Sequence, residues 1–234
     1  MEIEKIKVKS FVADEFQAAE AIKTLRTNLM FCGEGVRAIG ITSFGAAEGK
    51  TSVSFQLAAS LAQSKKNVLL LDGDLRKSVL QNRLGVREKV DGLSHLLSGM
   101  AETKNVVKPT DIPGLFIMFA GARVPNASEL LGGEWMKKLI PILKGSFDYI
   151  IADMAPLGQV IDCAVAAPAL DGVLLVIDTT HSSYKLERRV VSQLERTGSK
   201  VLGVVLNRVD FKDKGGYYGK AYGYGYGYGE KYGD

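Results

Sequence analysis

The sequence predicts an α/β fold, a mostly parallel sheet covered by helices on both faces, and three observations predict it. Short runs rich in Val, Ile and Leu recur along the chain, too continuously apolar for strands with one wet face. Between them lie segments with apolar residues three and four apart, the spacing of an amphipathic helix. The two patterns alternate, as they must when parallel strands are joined by helical crossovers.

In chain order, the first helical pattern is 15–30, where Ala18, Ile22, Leu25 and Leu29 form one apolar face and Glu20, Lys23 and Arg26 run along the other. AIGIT (38–42) reads as the first buried strand, and 51–64 as the helix after it. NVLLLD (67–72), LFIMF (115–119) and YIIAD (149–153) follow as strands, with a helical pattern over 126–144. GVLLVID (172–178), a helix over 183–197 and KVLGVVLN (200–207) complete the alternation. Ligands bind at the carboxyl ends of such strands, so the residues just after each run are where chemistry is expected.

Composition excludes several functions. At 234 residues and 46% hydrophobic content the chain can bury one substantial core. The expected division is an N-terminal segment with a helix (1–36), one globular domain (37–211) and a tail (212–234). No apolar run approaches the about 20 residues that span a bilayer, and MEIEKIKVKS has no apolar signal core, so a soluble protein is expected. The formal charge of +4 comes from interspersed signs with no basic block, which argues against nucleic acid. Cys32 and Cys163 are far apart and read as core residues; His95 and His181 are too isolated to build a metal site.

Three strand ends carry chemistry. ITSFGAAEGKTS (41–52) places Gly49-Lys50-Thr51 after a strand and at the head of a helix, where backbone N–H groups surround an anion, a lysine meets the β and γ phosphates, and a hydroxyl reaches Mg²⁺. The strict spacing wants glycine at 44, where Phe44 stands, so the loop is a variant. LLLDGDLRK (69–77) sets Asp72 and Asp74 two apart at the next strand end, although Asp-Gly-Asp also makes a good turn. FDYIIADMAP ends a buried strand on Asp153, a costly place for a carboxylate without water, a donor or a metal.

These three segments resemble the Walker A, Walker A′ and Walker B motifs of the bacterial tyrosine kinases that accompany capsule and exopolysaccharide synthesis. EAIKTLRTN (20–28), DGLSHLLSG (91–99), VPNASELL (124–131) and the terminal tyrosine cluster resemble family segments too, so the likeness covers almost the whole chain. The resemblance implies a P-loop NTPase-like sheet using ATP and Mg²⁺. It implies that Gly45, Ala46, Ala47, Glu48, Gly49, Lys50, Thr51 and Ser52 cradle the phosphates and that Thr51, Asp72 and Asp153 serve the metal. Lys50, Asp72, Asp74 and Asp153 would then be catalytic, with Asp72 receiving or orienting the tyrosine proton and Arg76 in support. Asn207 and Arg208 stand where related proteins recognise adenine, but equally suit a polar pair opening a loop. Glu20, Lys23 and Arg26 would contact an adjacent subunit in a ring, Lys23 replacing an arginine; taken alone, the stripe is a solvated face. Ala46 and Ala47 replace a proline and a glycine of the family loop, and Ala155 replaces a proline.

Of the nine tyrosines, Tyr217, Tyr218, Tyr222, Tyr224, Tyr226, Tyr228 and Tyr232 lie in YYGKAYGYGYGYGEKYGD. Alone, that segment reads as a disordered or self-associating tail. Beside the resemblance it reads as a phosphoacceptor, reached in trans within a ring. The expected partners are further copies of the chain, a transmembrane adaptor of the polysaccharide co-polymerase type and a cognate tyrosine phosphatase, with the chain cytoplasmic and peripheral at the membrane. Two rivals stay open: a partition or division-site ATPase, whose signature lysine would occupy the place of Gly45, and a catalytically weak scaffold.

Overall fold

The computed structural model describes residues 5–12, 16–181 and 183–209. The tail from 212 to 234, with its seven tyrosines, lies outside the described residues. The elements in order are α1 (Phe16–Met30), β1 (Ala38–Ser43), α2 (Lys50–Gln63), β2 (Val68–Gly73), α3 (Leu80–Arg83), α4 (Leu93–Leu97), α5 (Thr103–Val106), β3 (Val107–Pro109), β4 (Leu115–Met118), α6 (Ala127–Gly132), α7 (Glu134–Lys144), β5 (Tyr149–Met154), α8 (Asp162–Ala166), β6 (Gly172–Asp178), α9 (Tyr184–Arg196) and β7 (Val201–Asn207).

The strands form one sheet in the order β3-β4-β2-β5-β1-β6-β7. Every pairing is parallel except that of β3 with β4. Strand alternation divides the sheet's side chains between two cores. Leu69 and Leu71 point to a layer built with Leu131, Met136, Leu139, Leu143, Val190 and Leu194. Val68 and Leu70 point to the opposite layer, against Leu29, Val53, Leu57 and Leu61. Each face is thereby dry over the central strands, which is why β1, β2 and β5 are apolar along most of their length, whereas Val204 and Leu206 of the edge strand β7 stay exposed.

Inserting β5 between β1 and β2 is what positions the site. Connections from β1 run one way across the sheet to β2 and the neighbouring β6 lies on the other side, so the carboxyl ends of β1, β2 and β5 open into one crevice. The register sets Asp72 of β2 opposite Asp153 of β5, and Asp153 opposite Ile41 of β1.

Two expectations are corrected. The helical pattern over 126–144 is two helices, because Gly133 is extended (φ −76°, ψ 168°) and breaks the run before Glu134. The charged stripe on α1 is not uniform: Arg26 turns onto α2, donating to the Ser60 carbonyl (2.8 Å) and hydroxyl (3.1 Å), while Lys23 pairs with Glu20 at 2.6 Å. On the apolar side of α1, Leu29 is buried while Ala18, Ile22 and Leu25 are half-buried. The short antiparallel β3 has no counterpart in the sequence reading.

Candidate active site

The loop between β1 and α2 turns on two residues of positive φ, Ala47 (63°) and Gly49 (96°). Gly49 is a requirement: a Cβ there would meet the Asn207 amide nitrogen at 2.0 Å. The loop therefore runs tightly into the N-terminus of α2, leaving Lys50 and Thr51 as its first residues, with their N–H groups free of helical partners.

Lys50 is buried, and its Nζ lies 3.6 Å from Asp74 Oδ2 and 3.8 Å from Asp153 Oδ1. Asp72, Asp74 and Asp153 are all buried around it. Three carboxylates against one lysine leave an acidic excess in a low-dielectric pocket, and the proton affinities of Asp72 and Asp153 record it. Burial, then the charge of Asp153, pushes Asp72 up to about 7, against a hydrogen bond from the Ser78 hydroxyl. Burial also raises Asp153, opposed by Lys50 and by the Thr51 and Ser54 hydroxyls. The lysine's partners are Asp74 and Asp153, so the Asp-Gly-Asp segment acts both as a turn, with the Asp74 N–H donating to Asp72 (3.3 Å), and as a bearer of two differently placed carboxylates.

Arg76 is committed elsewhere than expected. Its Nε donates to Asp162 Oδ2 at 2.7 Å and its terminal nitrogen to Oδ1 at 3.0 Å, a bidentate pair with a fully buried carboxylate on α8. Arg76 thus ties the segment after β2 to α8, and Asp162, which no local pattern marks, is its anchor.

The other side of the phosphate loop is latched to β7. The Asn207 amide donates to the Glu48 carbonyl (2.9 Å) and Arg208 to the Ala47 carbonyl (3.0 Å), while Arg208 also pairs with Asp178. Within the loop, Glu48 accepts from the Gly45 N–H at 2.7 Å. Its second oxygen is buried without a partner among the described residues, and so is one oxygen of Glu187 on α9. Burial, then the nearby Glu48 charge, pushes Glu187 up to about 7. Sequence reasoning missed Glu187, which sits in an ordinary amphipathic helix; its burial depends on where α9 docks.

Known proteins share this fold. Residues 39–218 match the family described as the CobQ/CobB/MinD/ParA nucleotide binding domain. The tyrosine-protein kinase CpsD of Streptococcus pneumoniae is 38% identical over 204 residues, covering 87% of this chain and 90% of the relative. Among solved structures, the kinase domain of VpsO is 34% identical with a TM-score of 0.77, over 83% of this chain and 95% of that one. The cell division ATPase MinD of Pyrococcus furiosus shares the fold at a lower TM-score of 0.64, 29% identical over 76% of this chain and 74% of its own. The sheet order, the loop at the head of α2 and these likenesses together place the chain among the bacterial tyrosine kinases.

Proposed function

We propose that this kinase is an ATP-dependent autokinase that phosphorylates its C-terminal tyrosine cluster, Tyr217 to Tyr232, in trans, and thereby regulates synthesis or export of a capsular or exopolysaccharide. The observation that carries the reading is the buried group of Lys50, Asp72, Asp74 and Asp153 at the ends of three adjacent strands. Phosphoryl transfer asks for positioning and charge neutralisation more than for covalent chemistry. The loop amides and Lys50 suit a triphosphate, and Asp72, with a proton affinity near neutrality, suits an incoming tyrosine hydroxyl whose proton must go somewhere.

The donor set fits a magnesium ion. The acidic excess around Lys50 needs a further cation, while among the described residues no three His, Cys, Asp or Glu side chains converge to hold a metal alone. An ion arriving with the nucleotide phosphates, with Thr51 as ligand and Asp72 and Asp153 holding its hydration shell, answers both facts. When bound, it neutralises phosphate charge. Asn207 and Arg208, which hold the loop carbonyls of Glu48 and Ala47, would border the base.

Partners follow from the same reading. Among the described residues no helix is long and apolar enough to cross a membrane. We infer a transmembrane adaptor that brings the kinase to the membrane's inner face, a phosphatase that reverses it, and a ring of copies in which α1 contributes Glu20 and Lys23 to the contact.

The test is intact mass after incubation with Mg-ATP. Successive phosphate additions mapping to Tyr217–Tyr232 are expected on the wild type. Lys50→Met is expected to lower the transfer rate at least about a hundredfold, and a chain truncated before Tyr217 to accept no phosphate there. Free phosphate released without any mass increase, with or without a fused adaptor tail, would establish an ATPase instead.

A further inference from the structure

Four of the residues on α9 are cationic, Lys185, Arg188, Arg189 and Arg196, and all are exposed. Of its two acids, Glu187 is buried and Glu195 is exposed. Among the described residues Lys185, Arg189 and Arg196 have no ion pair, and Arg188 lies over the ring of Tyr184, itself 77% exposed, at 5.8 Å. The exposed face of α9 is therefore a strip of guanidinium groups without ion-paired counter-ions among the described residues. Guanidinium forks bind phosphate dianions in bidentate fashion and also stack on aromatic faces.

The chain's own tail has the matching chemistry once phosphorylated. Its residues 210–234 hold four lysines and four carboxylates, so the segment is neutral as synthesised. Each phosphotyrosine adds about −1.5 to −2 charges. The tail also starts in the right place. The Thr179 hydroxyl donates to the Arg208 carbonyl at 3.0 Å and its N–H to the Asn207 carbonyl at 3.1 Å, so the chain leaves β7 beside the loop that opens α9 five residues later. Thirteen chain steps lead from Val209 to Tyr222 and can span up to about 43 Å, more than the about 20 Å of the helix together with that loop. Alternate tyrosines in an extended chain recur about 7 Å apart, and every second one about 13 Å apart; Arg188 and Arg196, eight residues apart on the helix, are separated by about 12 Å.

We propose that the exposed face of α9 is a docking site for the phosphorylated tail of the same chain, with Arg188, Arg189 and Arg196 receiving phosphates from the Tyr222–Tyr228 stretch. Attachment to one chain gives the tail a high effective concentration at this face, so a set of individually weak exposed contacts suffices. Docking holds finished phosphotyrosines away from the active sites of neighbours and keeps the unmodified tyrosines available. The proposal rests on the tail being the phosphoacceptor.

A synthetic peptide of residues 215–234, phosphorylated at Tyr224 and Tyr228, separates the two ideas, because its binding does not depend on whether the kinase made it. Titrated against the full chain after phosphatase treatment, the phosphopeptide is expected to bind, and the unphosphorylated peptide at least about tenfold more weakly. The triple variant Arg188→Gln, Arg189→Gln, Arg196→Gln is expected to lose that preference while keeping its melting temperature and ADP affinity. No binding, or equal binding to the triple variant, overturns the site. Binding of phosphatidylserine vesicles through the same three arginines, with the phosphopeptide ignored, overturns it too and makes α9 a membrane surface.

Discussion

Ala47 holds φ +63° in the phosphate loop, a conformation that costs an alanine about 1–2 kcal/mol relative to glycine. Its carbonyl is fixed by Arg208, so the loop is not free to relax. Ala47→Gly is therefore expected to stabilise the protein by roughly 0.5–1 kcal/mol in urea unfolding, the relief of strain exceeding the added chain entropy; a loss of stability would show that the strain is not there. Glu187 gives a second prediction. Its folded proton affinity, near 7, lies above the ordinary 4.5, so the folded state holds a proton that the unfolded chain has released between these values. Stability must then fall as pH rises from about 4.5 to about 7 and level off above it. Glu187→Gln removes that slope and is expected to gain about 1 kcal/mol above pH 7.5, allowing for solvent screening. Thermal melts of both proteins across pH 5–8 check it, and parallel curves would refute it. Residues of these two kinds were unequally legible in the sequence. Ala47 could be flagged because its loop is a local pattern of known backbone demand. Glu187 and Asp162 could not, since Glu187 is made special by its burial where α9 docks and then by the charge of Glu48, and Asp162 by Arg76, 86 residues away in the chain.

Among the elements, β7 carries more than its place at the sheet edge suggests. Its last residue, Asn207, and the Arg208 that follows hold two successive carbonyls of the phosphate loop, so a strand at one side of the sheet helps shape the head of α2. Asn207→Ala leaves the Glu48 carbonyl without its donor. The expected cost is about 1–2 kcal/mol in loop order, read as a roughly tenfold weaker ADP affinity by calorimetry, with the melting temperature of the nucleotide-free chain little changed. Unchanged affinity would reduce Asn207 to a loop-opening residue. Most elements were legible because their signals are local: six of the strands are continuous apolar runs bounded by polar ends, and α2 and α9 hold an unbroken helical period. What escaped is instructive. The three-residue β3 is too short to carry a period and exists by pairing with β4. The break at Gly133 was hidden because Leu131 and Met136 both face the same core and keep the apolar spacing across it. Arg26 reads as part of a solvated stripe until α2 packs against α1 and brings the Ser60 carbonyl within reach.

For the whole molecule the decisive quantity is charge. The chain carries +4 at neutral pH, and seven tyrosines stand in its last 18 residues. Full phosphorylation adds about −10 to −14, reversing the sign of every subunit and concentrating the new charge in one segment. In the proposed ring these segments would be brought together, and like charges at such density repel even through physiological salt over about 8 Å. Docking on α9 offsets part of that charge, at most the four cations of the helix, so early phosphates are absorbed and later ones are not. Dispersal should accordingly set in late in the reaction rather than at the first transfer. Native mass spectrometry of phosphatase-treated protein is expected to show an oligomer, and a time course with Mg-ATP to show monomers only once several phosphates have accumulated per chain. In the triple arginine variant of α9 the same loss of oligomer is expected after fewer phosphates. An oligomer whose mass distribution is indifferent to phosphorylation would rule out electrostatic dispersal. Dissociation at the first phosphate would keep electrostatic dispersal but remove the buffering assigned to α9.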